Sequence, residues 1–135
     1  MDDTEKNGPV ERYLAAIEGA AMTDCDALGP EVVLDATVPN WRYQVQGCTE
    51  VKTELSRWYA TAGSFDELQR TPLPAGELVE FTLRWEEGGV PHAVHQAHVL
   101  EVTAGWITSD RVWCGGRWPA TLLAEMAAGV TSDGS

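Results

Sequence analysis

Residues 78–85, LVEFTLRW, place Val79, Phe81, Leu83 and Trp85 on one parity and Glu80, Thr82 and Arg84 on the other. A period of two with that contrast suits a strand with one face in a core and one in water, and it does not suit an amphipathic helix. FDELQRTPLP, HAVHQAHVLEV and WITSDRVWCGGRW carry further strand signals. Turn signals separate them at Pro72 to Gly76, at EEGGVP and at TAG. The second half of the chain therefore predicts an antiparallel meander.

The first half has a different period. KNGPVERYLAAIEGA begins at Asn7, a capping type, with Pro9 in the expected first turn, and Val10, Tyr13, Leu14 and Ile17 recur at helical spacing. AAMTDCDALG predicts a second short helix, stopped by Gly29 and Pro30. EVVLDATVP, β-branched and ending at Pro39, predicts a strand, and NWRYQVQG a loop or hairpin arm. CTEVKTELSRWYATAG predicts a third helix with Val51, Leu55, Trp58 and Tyr59 on one face. PATLLAEMAAG adds a last helical turn or two. Helices followed by strands make the class α+β. Three N-terminal helices packed on a strongly curved, mostly antiparallel sheet would enclose a cone with one deep apolar end.

With 135 residues there is room for one core. The expected domain is 9–128, between a flexible N-terminus (1–8) and a disordered tail (129–135). A net charge of −12 repels phosphate backbones and argues against nucleic acid as a partner. No apolar run suits a membrane span and no leader pattern is visible, so a cytoplasmic location is the expectation. Cys25, Cys48 and Cys114 are scattered, without a CxxC pair, and read as reduced thiols. No phosphate loop, nucleophile elbow or dinucleotide fingerprint is present, and no cofactor is expected. Six tryptophans fit a stout core or an aromatic pocket.

HAVHQAHVLEV holds all three histidines. On a helix, spacing three would cluster them and make a metal plausible. On a strand, His92 and His98 share a face roughly 20 Å apart and His95 points the other way. The strand is favoured, so no metal site is expected. On that reading Gln96 shares a face with His98, and Thr108, Asp110, Val112 and Cys114 share one face of the final strand. Asp110 beside His98 would be a usable acid/base pair. Asp35, Asn40, Trp41 and Arg42 form a second polar cluster, in which Asn40 and Arg42 could orient a polar group of a ligand.

ERYLAAIEG, LGPEVVLDATVP, LSRWYATAG and AHVLEVTAGWI span most of the domain. Their order and landmarks resemble the nuclear transport factor 2-like superfamily, and within it the SnoaL-like and ketosteroid-isomerase-like proteins. The resemblance implies a cone-shaped α+β barrel with an apolar pocket, lined on its inner face by the Thr108, Asp110, Val112 and Cys114 side of the final strand. It implies a tyrosine donor at Tyr13, an oxyanion donor at His98 where that family keeps a protonated aspartic acid, and a supporting Tyr59. The family's general base falls on Ala36, one residue from Asp35, which can serve only through a shift in register. SnoaL-like cyclases draw an acid/base aspartate from the region of Asp110. The expected catalytic set is then His98, Asp110 and Tyr13, with Asp35 in reserve. The expected binding set is Asn40, Trp41, Trp58, Tyr59, Gln96, Val112 and Cys114.

Three functions stay open. One is a cofactor-free isomerase or cyclase that abstracts a proton next to a carbonyl of a small polyketide- or steroid-like molecule. The second is a non-catalytic module of the same fold that binds a small apolar ligand or a partner. The third is an epoxide hydrolase built on Asn40, Asp110, Arg111 and Tyr13. The resemblance also implies a homodimer through the outer sheet face, where His95, Ala97, Val99 and Trp113 would lie.

Overall fold

The computed structural model describes residues 3–131, with side chains over 8–129. Among the described residues the chain forms α1 (Asp3–Glu18), a 3-10 turn (Met22–Asp24), β1 (Leu28–Val38), β2 (Trp41–Gln46), α2 (Cys48–Trp58), β3 (Ser64–Leu73), β4 (Gly76–Glu87), β5 (Val90–Thr103), β6 (Trp106–Pro119) and α3 (Ala120–Thr131). One sheet runs in the order β2-β1-β6-β5-β4-β3. Every neighbouring pair is antiparallel except β1 with β6. The class is α+β, as expected.

Several expectations need correction. The sheet is open, with β2 and β3 at its edges, so no barrel closes. The second N-terminal helix is a single 3-10 turn, and the third α-helix lies at the C-terminal end. The Gly29-Pro30 stop lies inside β1, because pairing of Leu28 with Ile107 of β6 draws that segment into the sheet. Helix α1 begins at Asp3, and Pro9, expected in a first turn, stands inside it, where it forgoes one backbone hydrogen bond. Helix α3 ends at Thr131; residues 1–2 and 132–135, and with them most of the expected tail, lie outside the described residues. No helix among the described residues is long and apolar enough to cross a membrane.

Alternation sets the core. Val79, Phe81, Leu83 and Trp85 of β4 are buried, as are Val94, Gln96, His98 and Leu100 of β5. Val10, Tyr13, Leu14 and Ile17 of α1 and Val51 and Leu55 of α2 are buried with them. Two tight turns keep the β4–β5–β6 meander in register. Gly88 and Gly89 have φ of 57° and 81°, the left-handed pair that a two-residue hairpin loop demands. Ala104 and Gly105 do the same work at 52° and 83°.

The parity of β6 is reset twice. One irregularity lies between Glu101 and Val102 of β5, opposite Ser109 and Ile107. It buries Ile107 and leaves Thr108, expected on the inner face, bonding the exposed Glu101 carbonyl. The other lies between Val94 and Gln96, which face Arg117 and Cys114 respectively. Three residues of β6 there span two of β5, so a bulge at Gly115-Gly116 brings Arg117 to the parity of Cys114.

Candidate active site

Two strands and two helical segments bring five polar side chains together under the sheet. Tyr13 comes from α1, Gln96 and His98 from β5, Asp110 from β6 and Tyr59 from the end of α2. All five are buried: Tyr13 is 0% exposed, His98 and Asp110 1% each. Burial at that level demands partners, and each has them. Tyr13 donates its hydroxyl to Asp110 Oδ2 at 2.5 Å. His98 Nδ1 lies 2.8 and 3.0 Å from the two Asp110 oxygens. His98 Nε2 lies 2.9 Å from Gln96 Oε1, and the Tyr59 hydroxyl donates to that same oxygen at 2.5 Å. Phe81 stacks on the imidazole, with ring centroids 5.5 Å apart, and Tyr13 meets its edge.

Hydrogen positions follow from the acceptors. Asp110, as a carboxylate, accepts from Nδ1 and from Tyr13. Gln96 Oε1 can only accept, so Nε2 carries a proton in this arrangement and both ring nitrogens donate. The phenols are held in the donor form. Burial pushes the Tyr13 hydroxyl well above the usual tyrosine range and the nearby Asp110 charge adds to it. Burial and the same charge do this to Tyr59.

Beside this chain lies a cavity of about 370 Å³. Trp58, Trp85, Val38 and Val94 make its apolar walls, and Gln96 and Cys114 reach it from the sheet. Gln96 Nε2 faces Cys114 Sγ at 3.4 Å. Tyr13, His98 and Asp110 are not among the lining residues; Gln96 stands between them and the cavity.

The structure therefore joins Tyr13, His98, Asp110, Tyr59 and Gln96, and sets Trp58 and Cys114 around the adjoining cavity. Val112 is buried on the inner face without lining that cavity. Asp35 is not brought in. It pairs with Arg111 of β6 across the sheet, while Ala36 pairs with inward Val112, so Asp35 points outward. There Arg42 donates to it twice, at 3.0 and 2.7 Å, and these bonds hold its carboxyl below the usual range. Pairing with β6 is regular from Val33 to Thr37, so the register shift that a reserve base at Asp35 required is not present there. Asn40 stands in the β1–β2 turn at φ 66°, and Trp41 is 68% exposed; neither lines the cavity. Arg111 is exposed over Trp113, so Asn40, Arg111, Asp110 and Tyr13 do not converge.

The three histidines do not converge either, because β5 is a strand throughout the run. His92 stacks on Trp85 and donates to the Val90 carbonyl at 2.9 Å. His95 lies on the outer face, 2.8 Å from Thr82 Oγ1. Sequence reasoning missed Glu54, Arg57, Trp85 and Arg117 at the cavity. The double glycine before Arg117 was the one signal that the strand's parity would change there.

No family model matches the sequence, and no curated protein matches it. Solved structures do. An LEH-like epoxide hydrolase of M. tuberculosis superposes with a TM-score of 0.67 at 23% identity, over 95% of this chain and 96% of that one. A presumed isomerase from Bacillus subtilis gives 0.68 at 16%, over 96% and 97%. A presumed polyketide cyclase from Xanthomonas campestris pv. campestris gives 0.66 at 16%, over 95% and 99%. This is the nuclear transport factor 2-like fold. The NTF2-like chain shares that fold with proteins of differing designation, so its chemistry has to be argued from its own side chains.

Proposed function

We propose that this NTF2-like protein is a cofactor-free isomerase or cyclase that moves a proton next to a carbonyl of a small, largely apolar molecule. One observation carries the reading. His98 Nε2 and the Tyr59 hydroxyl meet on a single oxygen beside the cavity, with a buried carboxylate behind the imidazole. Two donors aimed at one point are what a developing enolate oxygen needs, and they are worth most where water is excluded. In the proposed mechanism Gln96 swings aside and the ligand carbonyl takes the place of its amide oxygen. Asp110 accepts from Nδ1 and fixes the ring so that Nε2–H points at the enolate oxygen, while a water in the cavity takes the α-proton and returns it. Tyr59 donates to the oxyanion throughout. Tyr13 holds Asp110 and touches no ligand, so it is a positioning residue.

A ketone needs no cognate identity to report this chemistry. With 2-tetralone in heavy water, the protein should speed deuterium uptake at the α-carbon, followed by proton NMR. His98→Ala should lower that rate about a hundredfold or more. Ketone that binds yet exchanges at the buffer rate overturns catalysis. It would leave a second reading, a binding module of the same fold. The position of Gln96 between the cavity and His98 favours that alternative.

A further inference from the structure

The chain has nine lysine and arginine residues against 21 acidic ones, and two of the nine line this one cavity. Arg57 comes from α2 and Arg117 from β6. Arg117 is there only because of the bulge: regular pairing beyond Cys114 would put residue 116, not 117, opposite inward Val94.

The same device holds both guanidinium groups. On one wall Glu54 accepts from Arg57 and, at 3.2 Å, from the Trp58 indole. On the other Glu87 accepts from Arg117 at 3.0 Å and from the Trp85 indole at 2.6 Å. Arg117 also lies over the Trp85 ring, 5.1 Å from its centroid. Both glutamates stay ionised. Burial alone would raise Glu54, but the bonds from Tyr43 and Arg57 outweigh it, and the Trp85 bond lowers Glu87. Each guanidinium has five N–H donors and its glutamate occupies one or two, so donors remain on both. A planar fork already fixed in place loses little freedom on gripping an anion.

Position along the cavity gives these cations a role. The Arg57 and Arg117 side chains are 72% and 55% exposed, whereas Gln96 is 2% exposed. The cations therefore stand at the water-exposed part of the lining and Gln96, which covers the convergent donors, at its buried part; tryptophan, valine and proline supply the rest of the walls. We infer that the cavity takes a flat apolar compound bearing a carboxylate at its outer end, held between Arg57 and Arg117. The inference rests on the cavity being the ligand site of the proposed function, and names the substrate class for it. Each arginine is matched by a glutamate, so attraction acts through short hydrogen bonds, not through the field of a chain whose net charge repels anions.

The test uses 6-acetyl-2-naphthoate, a ketone at one end and a carboxylate at the other. Its neutral primary amide and plain 2-acetylnaphthalene are the comparisons. Dissociation constants come from calorimetry on the intact chain. The naphthoate should bind about tenfold tighter than its amide. That advantage should shrink with added salt and vanish in Arg57→Gln/Arg117→Gln, read as the ratio of naphthoate to amide affinity within that variant. Equal or weaker binding of the naphthoate by the unaltered protein overturns the inference without any variant. So does an advantage that survives loss of both arginines and disappears in Tyr59→Phe, since the carboxylate would then sit at the buried part of the lining. Acetylnaphthalene binding without a carboxylate preference sinks this inference alone; tight naphthoate binding without α-proton exchange sinks only the catalytic reading.

Discussion

Gln96 decides how the site works. Its amide oxygen occupies the one point where His98 and Tyr59 both donate, while its nitrogen has only the soft contact to Cys114 Sγ. A ligand carbonyl has to displace it, and the fraction of time it stands aside scales the apparent affinity. Gln96→Ala should therefore tighten binding of 2-acetylnaphthalene about tenfold, with water reaching the two donors from the cavity in the free protein. Quenching of tryptophan fluorescence reads the change. An unaltered dissociation constant would mean that the side chain is not in the way. Alternation put Gln96 and His98 on one face of β5, and the family resemblance turned that face and Asp110 of β6 toward the interior. Alternation gave no hint that Tyr13 would be used up by Asp110, or that Tyr59 would aim at the same oxygen as the imidazole. Those depend on how α1 and α2 seat against the sheet, a long-range property that neither helix's own residues encode.

Strands explain which expectations failed. Period two reads faces correctly while pairing is regular, and it did so along β4 and β5. It fails at a bulge, where one extra residue turns every later side chain over. On β6 this exchanged Thr108 for Ile107 and sent Arg117 inward. On β1 the irregularity falls before Val33 and pairing is regular from Val33 to Thr37, so the outward parity read from the sequence stands at Asp35 and Ala36 keeps the inner place. The second helix failed for another reason. Gly29-Pro30 is a sound local stop, but a parallel partner from the far end of the chain extended the strand through it. The β6 bulge can be tested on its own. Gly116 has φ 93°, and a β-carbon there would meet Pro39 Cγ at 3.1 Å. Gly116→Ala should cost about 1–3 kcal/mol in a urea melt and should weaken binding of 6-acetyl-2-naphthoate as Arg117 shifts. A variant as stable as the parent, with unaltered binding, would show that the bulge does not set the position of Arg117.

At the scale of the whole molecule the three tyrosines behave as one reporter. Burial and the Asp110 charge hold Tyr13 and Tyr59 well above their ordinary pKa, and Tyr43 is pushed up to about 12 by burial and its bond to Glu54. An unfolded chain releases its phenol protons near pH 10. The folded chain therefore keeps protons that the unfolded chain gives up, and stability depends on pH in one direction. The tyrosine contribution is fully present below about pH 10 and is lost as pH rises from there through the folded-state values. Phenolate absorbance should stay flat through pH 10 in the folded protein and then rise in one cooperative step, together with loss of the far-ultraviolet circular dichroism signal. Tyr59→Phe removes one of the three groups, so unfolding stability should fall less steeply with pH above 10 in that variant. A smooth phenolate titration centred near pH 10, with circular dichroism unchanged, would show a tyrosine open to water. If Tyr59→Phe abolished that titration, the exposed group would be Tyr59, and the donor pair under the cavity would not exist as drawn.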